Sequence, residues 1–122
     1  MINNITHTDK ALEYHIVAMQ RSLTLLEGRL INHRYLCGDQ ITIADLSAAS
    51  ELDSSRYIDL NISNFSNVKA WLYRVIDENP IVAEVHEHGR KIAAMLVERQ
   101  KEEGTLPKIN ISPSMEYALP KL

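Results

Sequence analysis

Ile41-Thr42-Ile43-Ala44-Asp45-Leu46 is the stretch on which the fold turns. Thr42 stands at an N-cap, its hydroxyl able to accept a hydrogen bond from a free amide of the first helical turn. Asp45, three residues on, can reach back to the Thr42 amide, with Asp in place of the usual Glu of a capping box. Ile41 before the cap and Leu46 four residues after it are spaced to touch as a hydrophobic staple, which sets the angle at which the chain enters the helix. The role assigned to all four residues is structural. Loss of the cap through Thr42→Ala or Asp45→Ala is expected to cost about 0.5 to 2 kcal/mol. Ser47, Ala48, Ala49 and Ser50 follow, small side chains that let a neighbouring helix approach closely, and they predict that this helix is the central one of a bundle.

Upstream, Leu12, Ile16, Met19, Leu23, Leu26 and Leu30 recur at steps of four and three and share one helix face. With Thr8 or Asp9 as cap and the 32–38 segment as stop, the spacing predicts a helix from Asp9 to Ile31 after a short separate segment, residues 1–8. The same steps would suit a coiled coil, but the helices that follow need something to pack against, and a bundle fits better. Downstream, Ser66 or Asn67 caps a third helix that buries Val68, Trp71, Leu72, Val75 and Ile76. Asn79-Pro80 ends it and begins a fourth. The fourth carries Ile81, Val85, Ile92 and Leu96 inward, with Gly89 as a place to bend, and stops at Gly104. Glu87 with Lys91, and Arg99 with Glu103, pair at four-residue spacing on a solvated face, each pair contributing about 0.2 to 0.5 kcal/mol. The domain thus covers 9–104. Residues 105–122 form an extended tail broken by Pro107, Pro113 and Pro120. Its apolar Leu106, Ile109, Ile111, Met115, Tyr117, Leu119 and Leu122 either fold back on the domain or lie on another protein.

The 122 residues suffice for one domain, and the net charge of -3 with interleaved signs provides no stripe for a phosphate backbone, which argues against nucleic acid. A single cysteine, no signal-peptide core and no bilayer-length apolar run point to an intracellular chain without a membrane span, in the cytoplasm or in a ciliary or organellar assembly. The sequons at Asn4, Asn61, Asn64 and Asn110 carry no weight in that setting.

Leu25-Leu26-Glu27, Tyr35-Leu36-Cys37-Gly38-Asp39, the capping stretch, Asn67-Val68-Lys69-Ala70-Trp71-Leu72 and Asn79-Pro80 together resemble, in order and spacing, the C-terminal helical domain of glutathione S-transferases, most nearly the theta-like group. The resemblance covers residues 10 to 88. It implies an all-α fold, a helical bundle like that domain with an extended C-terminal tail. In the family, glutathione is held by an N-terminal thioredoxin-like domain through an activating Tyr, Ser or Cys and a cis-proline. The first proline here is Pro80, within the helical region, so no residue is assigned to a glutathione site and no catalysis by the chain alone is expected. The family's first C-domain helix is expected to be absent or reduced to residues 1–8, leaving exposed an apolar face suited to a partner.

No other chemistry is expected. Cys37 has no CxxC partner and reads as a plain buried or half-buried thiol. His86 and His88 lie roughly 200° apart on a helix and cannot share a metal ion, and His7, His15 and His33 are isolated. Tyr14, Tyr35, Tyr57, Tyr73 and Trp71 read as core or rim residues. No catalytic, cofactor-binding or metal site is assigned. The expected function is a noncatalytic protein–protein interaction or structural subunit of a larger assembly, as related domains serve in translation elongation factor subunits and in accessory proteins of the aminoacyl-tRNA synthetase complex. Two other readings remain: the electrophile-binding half of a transferase whose glutathione-binding domain is supplied separately, and a truncated product with no selected role. Other protein subunits are the expected partners, and a homodimer is not assumed.

Overall fold

The computed structural model describes residues 2–106 and 109–114, with side chains from Lys10 onward except that of Leu12. Helix α1 spans Ile2–Arg29, α2 Ile43–Asp53, α3 Ser66–Leu72 and α4 Pro80–Glu103; a 3-10 turn, Ser54–Ile58, follows α2, and a π-turn, Tyr73–Asp77, continues α3. No strand occurs among the described residues, and the fold is an all-α bundle.

α1 begins seven residues before the expected start at Asp9, so residues 2–8 are not a separate segment and neither Thr8 nor Asp9 is a cap. No Gly or Pro interrupts the run before Gly28, and a nucleated helix extends at small cost per residue. Its stripe faces the bundle as spaced: Leu23 and Leu30 are buried, and Ile16, Met19 and Leu26 pack against the core. Leu12 lies outside the described side chains. After α1 the chain reverses where the Tyr35 amide donates to the Gly38 carbonyl at 2.8 Å and the Gly38 amide to the Tyr35 carbonyl at 3.3 Å. Gly38 takes φ 132° there, a region closed to most side chains.

The centre of the core belongs to α3 and its π-turn, not to α2. Phe65, Val68, Trp71, Val75 and Ile76 are fully buried, whereas α2 buries only Asp45, Ala49 and Asp53. Small residues permit close approach but bring little apolar area, and the large side chains of α3 set the middle of the bundle. The carbonyls of Arg74 and Val75 at the π-turn accept hydrogen bonds from the Asn79 side chain at 3.1 and 2.8 Å.

The cap of α3 also differs from expectation. Glu27, on α1, accepts from the Asn67 and Val68 amides, each at 2.8 Å, and from the Ser66 hydroxyl at 3.3 Å. A carboxylate is well suited to the positive end of a helix, and here it also ties α1 to α3. Glu27→Ala is expected to lower stability by about 1 to 2 kcal/mol and Glu27→Gln by less. Urea denaturation measures both, and an unchanged midpoint in Glu27→Ala would remove Glu27 from the cap.

α4 starts with Pro80 in its first turn and ends at Gly104, whose φ of 70° suits a left-handed C-cap. It presents a different face from the expected one. Ile81 and Val85 are 79% and 74% exposed, and Ile92 and Leu96 are 36% and 40% exposed. Val82, Ala93 and Val97 turn inward with His86 and Arg90 between them. The Glu87–Lys91 and Arg99–Glu103 pairs form at 3.1 Å.

Past α4 the tail returns to the bundle: Ile111 is buried, Ile109 packs on the core, the Asn64 side chain donates to the Ile111 carbonyl at 3.3 Å, and the Ser114 amide donates to the Thr24 hydroxyl at 3.3 Å. The folded-back course therefore holds for residues 109–114. Met115, Tyr117, Leu119 and Leu122 lie outside the described residues.

Candidate functional site

Two buried carboxylates organise the polar interior. Asp45 is wholly shielded from solvent. One of its oxygens accepts from the Leu36 amide at 2.9 Å and from the Trp71 indole N–H at 2.8 Å, and the other accepts from the Thr42 amide at 2.9 Å. The Thr42 hydroxyl accepts in turn from the Ala44 amide at 3.3 Å. Burial pushes the Asp45 carboxyl up, but the hydrogen bonds from Leu36, Trp71 and Thr42 outweigh it and hold the group below the usual carboxylate range. Besides the cap, Asp45 joins the 35–38 turn, α2 and the core tryptophan. Ile41 and Leu46 stay about two-fifths exposed, at the surface end of the same turn.

Asp53, at the last residue of α2, gathers three partners, Arg56 from the next turn and His86 and Arg90 from α4. It accepts from Arg56 at 2.8 Å, from Arg90 at 3.1 Å and lies 2.9 Å from His86 Nδ1. Arg90 also reaches Asp77 at 2.7 Å, so one guanidinium bridges two carboxylates. Burial alone would raise the Asp53 carboxyl. The bonds from Arg90, Arg56 and His86 hold it below the ordinary value, and Asp77 and Asp53 hold Arg90 above its own against the burial that would lower it. This polar lock explains the orientation of α4. Asp53 draws His86 and Arg90 inward, and Ile81, Val85, Ile92 and Leu96 are turned away.

The other imidazole nitrogen, His86 Nε2, lies 3.4 Å from the Ser50 hydroxyl, which gives Ser50, His86 and Asp53 the connectivity of a nucleophilic triad. Two features set it apart from one. Asp53 divides its charge between two guanidiniums as well as the imidazole. Ser50 sits within α2, where backbone amides bond along the helix and do not converge as an oxyanion hole. The cluster fastens α4 to α2. It escaped the sequence reading because His86 and Arg90 lie 33 and 37 residues from Asp53 in the chain, with no local spacing to mark their meeting.

Of the remaining candidates, Cys37 is exposed rather than buried as expected, because its turn lies at the surface, and it receives the Thr42 hydroxyl at 3.7 Å, while His33 Nδ1 lies 3.1 Å from the Arg29 carbonyl. Among the described residues, no group of three His, Cys, Asp or Glu side chains is placed to hold a metal, and no helix is long and apolar enough to cross a membrane. An open cleft of about 460 Å³ lies between the 3-10 turn and α3, where Leu60, Ile62 and Leu72 alternate with Arg56, Lys69 and Asp77 on its walls.

Compared with known protein families, residues 1–79 match the family described as glutathione S-transferase, C-terminal domain. No curated protein and no solved structure matches the chain.

Proposed function

Since the chain belongs to the glutathione S-transferase C-terminal domain family, we propose that it serves as a noncatalytic member of that family, a protein–protein interaction or structural subunit of a larger intracellular assembly. The observation that carries the reading is the outward face of α4. Ile81 and Val85 stand largely in solvent beside Ile92 and Leu96 on one side of a helix anchored at its back by ion pairs. Contiguous apolar surface of this kind marks interaction sites. The buried ionisable groups support the reading, since Asp45, Asp53 and Arg90 each hold packed elements together.

The test is to purify the tagged chain gently from its native source, determine its native mass and companions, and assay conjugation of glutathione to 1-chloro-2,4-dinitrobenzene. Stoichiometric copurifying subunits without conjugation above the uncatalysed rate are the expected result. A free chain with conjugating activity overturns it. One observation favours the second reading, an electrophile-binding half of a transferase: the open cleft beside the 3-10 turn, where Leu60, Ile62 and Leu72 share the walls with charged side chains. Conjugation that appears only when a separate glutathione-binding domain is added would establish that role instead.

A further inference from the structure

At 100° per residue, Ile81, Val85, Ile92 and Leu96 fall within about 60° of one another, and the face held to the bundle lies roughly 110° round the helix. The outward four are spaced symmetrically: Val85 and Ile92 stand 3.5 residues either side of the His88–Gly89 peptide bond, and Ile81 and Leu96 stand 7.5 residues from it. A helix face that reads alike from both ends is complementary to itself under a two-fold rotation. We propose that this face docks a second copy of the chain, α4 against α4, antiparallel about an axis at His88–Gly89. This inference names a partner for the interaction module and so rests on that reading.

In this register Ile81 meets the partner's Leu96 and Val85 meets the partner's Ile92, with the two His88 side chains beside the axis. A two-fold of this kind also sets each flank of the stripe against itself. One flank carries Glu84 and Lys91, with Glu87 just behind. Lys91 falls level with residue 86 of the partner, between the partner's Glu84 and Glu87, so opposite charges meet. The other flank, Gly89 and Leu96, borders the inward face of α4 and has no charge to repel. A parallel two-fold would instead set Glu84 and Lys91 against the opposite, uncharged flank of the partner, where neither meets a counter-charge. Both the apolar spacing and the charges thus select a second antiparallel copy as the occupant. The stripe is about 22 Å long, which suits a weak interface.

The test is sedimentation of the full chain from about 1 µM to about 1 mM, the range of weak association, where the dimer has twice the 13.9 kDa of the chain. Val85→Asp should weaken the dimer at least about tenfold without lowering the thermal midpoint, because Val85 is 74% exposed in the monomer. Lys91→Glu should weaken it too, and adding Glu84→Lys with Glu87→Lys in the same chain should restore it. In a Cys37→Ser background, His88→Cys should form an intermolecular disulfide under mild oxidation. A chain that stays monomeric throughout, or a dimer indifferent to the α4 variants and not trapped by the cysteine at position 88, overturns the proposal. So does a full chain that is monomeric until residues 115–122 are deleted, which would give the stripe to the tail. A monomer that still copurifies with other subunits overturns self-association and leaves the interaction-module reading standing, whereas transferase activity overturns that reading itself.

Discussion

Asp45→Ala should lower the stability of the domain by about 4 kcal/mol, a large share of the 5 to 15 kcal/mol typical of a folded domain. The substitution leaves three donors without an acceptor: the Leu36 amide, the Thr42 amide and the indole N–H of the wholly buried Trp71. An unsatisfied buried donor costs about 1 to 3 kcal/mol, which exceeds the loss of a cap alone. Thr42→Ala, which removes only the hydroxyl that accepts from Ala44, should cost about 1 kcal/mol. The two variants, held alike on sequence grounds, therefore separate. The pH dependence has a definite sign. Hydrogen bonds hold the Asp45 carboxyl below its ordinary 3.8 in the folded state, so its contribution is fully present above that value and is lost as pH falls through the lower folded value. Urea midpoints measured from neutral pH into this acid window check both points. Equal losses in Thr42→Ala and Asp45→Ala would reduce the carboxylate to a cap.

How far the fold was legible follows from the range of each interaction. The capping stretch, the α1 stripe, the Asn79-Pro80 break and the Gly104 stop are local patterns, visible within a few residues, and each describes where a helix runs or ends. The start of α1 was misplaced because Thr8 and Asp9 are good caps that the unbroken helix does not use. Partners drawn from other elements left no local mark. Glu27 caps a helix 40 residues on, Trp71 completes the Asp45 site from 26 residues away, and His86 reaches Asp53 from 33. The face of α4 shows the consequence. Apolar periodicity correctly grouped Ile81, Val85, Ile92 and Leu96 on one side but assigned that side to the core, because hydrophobicity was the only force it could weigh. Ion pairs on the neighbouring face decided the orientation. The surface proposed for a partner was thus present in the sequence as a stripe, while its exposure depended on a carboxylate in another helix.

Asp53→Asn tests that dependence and should cost about 3 kcal/mol, since it preserves shape while withdrawing the charge that Arg90, Arg56 and His86 share. Arg90 keeps Asp77 as a counter-charge, which limits the loss. Arg56 is nearly half exposed and its removal should cost no more than about 1 kcal/mol, so the two substitutions distinguish the buried part of the lock from its solvated edge. The Asp53 carboxyl also lies below its ordinary 3.8 when folded. The lock is intact above that value and weakens as pH falls through the lower folded value, because the native carboxylate must then take up a proton. Asp53→Asn should remove this part of the acid response while leaving that of Asp45. Hydrogen exchange locates the effect: at neutral pH the variant should lose protection first in α4 and the 3-10 turn, where the lock acts, while the α1–α3 contact retains its protection. Uniform loss across all four helices would show that Asp53 supports the core as a whole. Selective loosening of α4 would show that a single anion holds this helix with its apolar stripe outward, and the α4-mediated dimer should weaken in the same variant because that orientation is the one its two-fold packing requires.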